Sequence, residues 1–195
     1  MLLKLCGITR TEDMAIAEKF GADYAGMVLV PGTPRFVPCD RIAPLMAANR
    51  CKKVFVVRDM PLAELNALIA EFHPDVVQLH GCESPDYARG VRGAAVWKAF
   101  DLNSETALAE AEAFPCEMIV ADSGGGTGRV CRWDLAAELA CTRRIFLAGG
   151  ITPVNVRDAV EQVHPAGIDV SGGVESAPGI KDRFLIQKLT ERIHS

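Results

Sequence analysis

The chain has 195 residues, of which 49% are apolar, and a formal net charge of −4. That length suits one well-cored domain, and the absence of any concentration of Lys and Arg excludes the electrostatic footprint of a nucleic-acid binder. No apolar run approaches the roughly 20 residues that span a bilayer, and Met1-Leu-Leu-Lys-Leu is too short and too soon charged for a signal peptide. A cytoplasmic protein with no membrane or nucleic-acid partner is expected. The 7 cysteines show no Cys-x-x-Cys spacing, which argues against a disulfide framework or a structural zinc site.

In chain order, Leu2 to Cys6 reads as a short apolar strand. Gly7 to Asp13 leads into a helix running through Ala15 to Phe20 and stopped by Gly21, with Thr11 as its expected cap. A second strand covers Asp23 to Val30. The loop Pro31-Gly-Thr-Pro-Arg-Phe-Val-Pro, stiffened by its prolines, carries Arg35. A helix from Asp40 to Asn49, the strand Lys53 to Arg58, a helix from Pro61 to Phe72 and the strand Asp75 to His80 follow. The pattern then repeats: helix Ser84 to Val91, strand Ala95 to Phe100, helix Ser104 to Phe114, strand Glu117 to Asp122, a Gly-rich loop Ser123-Gly-Gly-Gly-Thr-Gly, and a helix from Trp133 to Ala140. Two final units, Arg144-Ile-Phe-Leu-Ala-Gly-Gly-Ile-Thr-Pro and Ala166-Gly-Ile-Asp-Val-Ser-Gly-Gly-Val-Glu, each run a short strand into Gly-Gly and a helix-like segment. Ile186 to Ile193 closes the chain as a helix.

Strict strand-helix alternation calls for a parallel sheet with right-handed crossovers, and eight units close a (βα)8 barrel spanning residues 1–195 as a single domain. Such barrels typically run to about 250 residues, so the loops here must be minimal. A doubly wound open sheet is the structural alternative.

Gly149-Gly150 and Gly172-Gly173 fall where a barrel holds phosphate, after strands seven and eight, where unhindered backbone N–H groups converge on an anion at a helix N-terminus. Taken singly, either pair could merely end a strand in a tight turn. Side chains two apart on a strand share a face, so Lys4 goes with Cys6, Gln78 with His80, Val120 with Asp122, and Asp169 with Ser171, all over the mouth of the barrel. Cys6 is either an apolar filler or a base whose thiolate the Lys4 ammonium favours. Asp122 is a turn cap or an acid. Lys4, Gln78, His80 and Asp169 are either structural or substrate-binding, and Arg35 is an exposed loop arginine or a planar carboxylate clamp.

The stretches Lys4-Leu-Cys-Gly-Ile-Thr, Thr33-Pro-Arg-Phe-Val, Val77-Gln-Leu-His-Gly, Asp122 with Gly125-Gly-Thr-Gly, Leu147-Ala-Gly-Gly-Ile, Asp169-Val-Ser-Gly-Gly-Val-Glu and Pro178-Gly-Ile-Lys-Asp, in this order, resemble the phosphoribosylanthranilate isomerases of tryptophan biosynthesis over essentially the whole chain. The resemblance implies a (βα)8 barrel without metal or cofactor that converts N-(5-phosphoribosyl)anthranilate to its 1-deoxyribulose isomer by an Amadori rearrangement. It implies Cys6 as general base, Asp122 as general acid and Arg35 as the holder of the anthranilate carboxylate. The phosphate then falls to Gly149, Gly150, Ser171, Gly172 and Gly173. The mechanism asks for a raised Asp122 pKa and a lowered Cys6 pKa. Two departures are visible: Ser171-Gly172 where the family usually shows a Ser-Ser or similar pair, and a short stretch between Asp122 and Gly125. The rival readings are a related sugar-phosphate isomerase or epimerase, a metal-dependent epimerase, and a non-catalytic phosphate-binding barrel. The oligomeric state, monomer or homodimer, stays open.

Overall fold

In the computed structural model, which describes residues 1–48, 50–123 and 131–194, eight parallel strands close a barrel in the order of the sequence. They are β1 (Leu2–Cys6), β2 (Tyr24–Val28), β3 (Lys52–Val57), β4 (Val76–Leu79), β5 (Ala95–Asp101), β6 (Met118–Asp122), β7 (Ile145–Leu147) and β8 (Gly167–Val170). The helices between and after them are α1 (Thr11–Lys19), α2 (Ile42–Ala47), α3 (Leu62–Phe72), α4 (Pro85–Gly90), α5 (Glu105–Ala113), α6 (Trp133–Thr142), α7 (Val156–Val163) and α8 (Arg183–His194). Closure is made by β1 against β8, with Lys4 in register with Asp169. The open-sheet alternative is thereby excluded.

The apolar residues form two layers. Leu3, Leu5, Phe55, Val57, Val77, Leu79, Ile119, Ala121 and Ile168 face outward and pack against the helices, while Val54, Val56, Val76, Trp97, Met118, Val120 and Phe146 fill the barrel. The strands read as continuous apolar runs because both faces are covered. Trp97 stacks on Phe146 at 4.9 Å and meets Tyr24 edge-on at 4.8 Å, closing the lower barrel. Gly167 makes room for this plug, since a Cβ there would lie 2.4 Å from the Phe146 ring.

Several element ends differ from the sequence expectation. Thr11 is the first helical residue, and its predecessor Arg10 makes no side-chain cap, pairing instead through Nε and Nη2 with buried Asp13. The helix expected from Asp40 begins at Ile42, after a 3-10 turn over Cys39–Arg41, because Pro44 has no N–H for the Asp40 carbonyl. Its expected end at Asn49 lies outside the described residues, as does the Gly-rich loop from Gly124 to Gly128 with the Gly125-Gly-Thr-Gly motif. Ser104 caps α5 as expected, accepting from the Ala107 N–H. α8 starts three residues earlier than expected, capped by Asp182, whose Oδ1 accepts from the N–H groups of Phe184 and Leu185. Between β8 and α8 runs a hairpin that periodicity could not reveal, β9 (Glu175–Ala177) antiparallel to β10 (Ile180–Lys181).

Candidate active site

Strand alternation delivers the expected faces. Lys4 is fully buried inside the barrel, and its Nζ donates to Gln78 Oε1 at 2.8 Å and to Asp169 Oδ2 at 2.6 Å. Because Gln78 must accept from Lys4 through Oε1, its Nε2 is the donor that meets His80 Nδ1 at 3.0 Å. The imidazole therefore accepts at Nδ1 and carries its proton on Nε2, which lies 3.3 Å from Asp122 Oδ2. One hydrogen-bonded chain thus runs from β8 through β1 and β4 to β6, linking Asp169, Lys4, Gln78, His80 and Asp122.

Above this chain opens a cavity of about 580 Å³. Cys6, Arg35, Gln78, His80, Asp122, Asp169 and Ser171 line it, together with Gly149, Gly150, Gly172 and Gly173. Lys4 is absent from the lining and sits beneath. A side recess of about 320 Å³ extends past Arg58, His80 and Asp122 towards Cys82 and Asp101. Asp169 is 7% exposed, and its Oδ1 has no hydrogen-bond partner among the described residues. A buried carboxylate oxygen in that state is an acceptor held ready for a donor in the cavity. Gly26, in register with Cys6, leaves room for the thiol: a Cβ there would come within 2.9 Å of Cys6 Sγ and 3.3 Å of Lys4 Cε.

The two Gly-Gly turns lie side by side. Gly149 and Gly150 take positive φ, +75° and +62°, which side-chain-bearing residues rarely adopt. A Cβ on Gly173 would fall 1.9 Å from the Ile151 carbonyl oxygen, so the turns touch through their main chains. Neither leads straight into a helix, which corrects the expectation of helix N-termini. Ile151 to Asn155 separate Gly150 from α7, and Gly172–Val174 is a single 3-10 turn. Asn155 braces the first turn, donating to the Gly150 carbonyl and accepting from the Thr152 N–H.

Arg35 reaches over the mouth between Gly7 and Gly172, where a Cβ would lie 2.4 Å from its Cδ and 3.2 Å from its Nη2, respectively. Its Nε and Nη2 are paired with Glu175, which also accepts from Lys181 Nζ at 2.7 Å. Lys181 further donates to the carbonyls of Cys6 and Ser171. Glu175 and Lys181 both stand inside the quoted motifs, but the hairpin that turns them back on the mouth carries no periodic signal.

The protonation pattern expected of an acid-base pair is reversed in this site. Burial pushes the Cys6 thiol above its ordinary range, and the nearby Lys4 and Lys181 ammonium groups only partly oppose it. At Asp122 burial also works against the charged form, but the hydrogen bond from His80, the Ser123 N–H at 2.6 Å and the nearby Lys4 ammonium outweigh it and hold the carboxyl below its usual range. Lys4, although buried, is held above the ordinary lysine range by Asp169 and Cys6. A resting thiol thus faces a resting carboxylate. Among the described residues no three His, Cys, Asp or Glu side chains converge as metal ligands would, and none of the helices is long and apolar enough to cross a membrane.

Residues 3–192 match the family described as N-(5'phosphoribosyl)anthranilate (PRA) isomerase. N-(5'-phosphoribosyl)anthranilate isomerase of Geobacter metallireducens is 39% identical over 199 aligned positions, covering 97% of each chain. The enzyme of that name from Pelobacter propionicus is 37% identical, covering 96% of this chain and 92% of its own. Among solved structures, phosphoribosyl anthranilate isomerase from Thermus thermophilus superposes with a TM-score of 0.92 at 36% identity, covering 100% of this chain and 98% of that one. A phosphoribosyl anthranilate isomerase in complex with reduced 1-(o-carboxyphenylamino)-1-deoxyribulose 5-phosphate superposes with a TM-score of 0.91 at 27% identity and the same coverage. The chain belongs to the N-(5'-phosphoribosyl)anthranilate isomerase family.

Proposed function

We propose that the protein isomerises N-(5-phosphoribosyl)anthranilate to 1-(2-carboxyphenylamino)-1-deoxyribulose 5-phosphate, with Asp122 as general acid and Cys6 as general base, without a metal. The observation that carries this reading is the shared cavity. A thiol on β1, a carboxyl on β6, a guanidinium from the β2 loop and two glycine turns after β7 and β8 all line one space. The glycine turns and Ser171 hold the phosphate, Arg35 the ring carboxylate, and the free Oδ1 of Asp169 accepts from a sugar hydroxyl. Lys4 and Gln78 act from below, fixing Asp169 and His80.

In the reaction the Asp122 proton passes to the ribose ring oxygen as the C1–O bond breaks, giving an iminium ion. Cys6 thiolate then takes the C2 proton, its bonding electrons forming the C1=C2 bond of an enolamine that tautomerises to the ketone. The reactive pair therefore holds one proton, on the carboxyl. The resting pair also holds one, on the thiol. The two forms are tautomers of the same total protonation, so catalysis runs through the minor one, and its fraction follows from the gap between the two pKa values. After C2 deprotonation the pair is left in its resting form.

The test follows the loss of anthranilate fluorescence when purified protein meets freshly made substrate, with and without a chelator. Cys6→Ala and Asp122→Asn should each lower kcat by about two or more orders of magnitude while still binding a product analogue, and the double variant should lose far less than the product of the single losses. Near-normal turnover in either folded single variant would remove that residue from the chemistry, and loss of activity in chelator restored by a divalent ion would overturn the metal-free step.

A further inference from the structure

Glu175 is paired with Arg35 in a way that decides which part of the guanidinium a ligand can use. Its Oε1 and Oε2 accept from Arg35 Nε at 3.0 and 3.2 Å, and Oε2 accepts from Nη2 at 2.7 Å. This occupies the side edge of the planar fork and leaves the end edge, Nη1 with the second N–H of Nη2, for a bidentate anion in the cavity that Arg35 lines. The Glu175 side chain is 4% exposed, and its carboxylate is held in place by Lys181 Nζ, itself anchored on the main-chain carbonyls of Cys6 and Ser171.

The charges are arranged to the same end. Arg35 and Lys181 both donate to the one Glu175 carboxylate, which leaves the free edge of Arg35 to a carboxylate from a ligand. Glu175 is held ionised, its burial outweighed by Arg35 and Lys181. Without it, a long side chain from an exposed loop would have to be ordered by the ligand at each binding event, at the entropic cost of freezing a flexible side chain.

We infer that Glu175 is a positioning residue that presents the end edge of Arg35 to the substrate's ring carboxylate, and that through it the protein distinguishes carboxylated from uncarboxylated N-aryl ribosylamine phosphates. This rests on the reading of Arg35 as the carboxylate clamp. It also ties the two ends of the ligand together, because Lys181 joins the Glu175 carboxylate to the Ser171 carbonyl beside the phosphate turn.

The test compares two stable ligands by calorimetry: the reduced product analogue named above, and its counterpart lacking the ring carboxylate. Arg35→Ala should weaken the first by about ten-fold or more and leave the second within about three-fold, the scale set by one bidentate charged pair. Glu175→Gln should show the same selective loss, and in turnover it should act mainly on KM rather than kcat. Glu175→Asp, which keeps the charge one methylene shorter, should fall between parent and Glu175→Gln and serves if the latter does not fold. Selective loss in Arg35→Ala combined with equal losses of both ligands, or none, in the Glu175 variants would overturn the positioning role. An unselective Arg35→Ala would overturn the clamp itself, and with it this inference.

Discussion

His80 Nε2 lies 3.3 Å from Asp122 Oδ2, across the gap between the ends of β4 and β6. The contact is oriented from behind, because Gln78 fixes the other ring nitrogen as an acceptor and Lys4 fixes Gln78. A histidine in this position stabilises the ionised carboxyl, so it both aims Asp122 and restrains it from holding the proton that the chemistry requires.

Removing His80 should therefore raise the Asp122 pKa, since the hydrogen bond from His80 is the largest contribution opposing burial there. In the kcat/KM profile the acid limb, which reports Asp122 in the free enzyme, is expected to move to higher pH in His80→Ala. An acid limb that stays in place would mean that His80 does not govern Asp122.

Cys6 should be a slow nucleophile at neutral pH. With its thiol raised by burial, alkylation of the Cys6 peptide by iodoacetamide, read by mass spectrometry, is expected to have a midpoint above the ordinary thiol value of about 8.5. The exposed Cys39, Cys82 and Cys141 serve as internal comparisons. A Cys6 midpoint below 7 would show a resting thiolate and restore the protonation pattern that Lys4 alone suggests.

The sequence was most legible where one local rule acts. Period-two alternation placed Lys4, Gln78, Asp122 and Asp169 inside the barrel, and paired glycines marked both turns. It was least legible where several long-range terms compete. The sign of the Cys6 shift depends on whether burial exceeds two ammonium charges, one of them from Lys181, 175 positions away in the chain. The His80–Asp122 contact depends on how the ends of β4 and β6 meet after folding. Glu175 and Lys181 sit on strands of three and two residues, too short for any periodicity to show.

The two glycines of the turn after β8 should respond differently to one added methyl group. Gly173→Ala places its Cβ against the Ile151 carbonyl, where backbone must shift, and is expected to separate the turns and raise KM by about ten-fold or more with a loss of stability of about 1–3 kcal/mol. Gly172→Ala meets only the end of Arg35 at 3.2 Å, a side chain that can yield, and should be mild by comparison. Equal effects of the two substitutions on KM would show that contact between the turns does not shape the phosphate site.

Lys4 and Asp169 offer the clearest thermodynamic test, because the pair is buried and its chain partners are known. Lys4→Met removes the donor from Asp169 Oδ2 while Oδ1 already lacks one, leaving a buried carboxylate with no compensating charge. Breaking a buried pair from one side costs about 3–5 kcal/mol. Asp169→Leu strands the Lys4 ammonium, which keeps Gln78 Oε1 and Cys6 as partners but no carboxylate, and should cost a similar amount. Lys4→Met combined with Asp169→Leu leaves neither charge behind and should be much less destabilised than the sum of the two single changes. Urea unfolding with unchanged m-values reads these differences directly. The sign with pH follows from the raised Lys4 value: the stabilisation from its ammonium is fully present at neutral pH and fades only as pH climbs through that value. Strictly additive losses in the cycle would mean that Lys4 and Asp169 stabilise the barrel independently, and that the chain from β8 to β6 does not act as one unit.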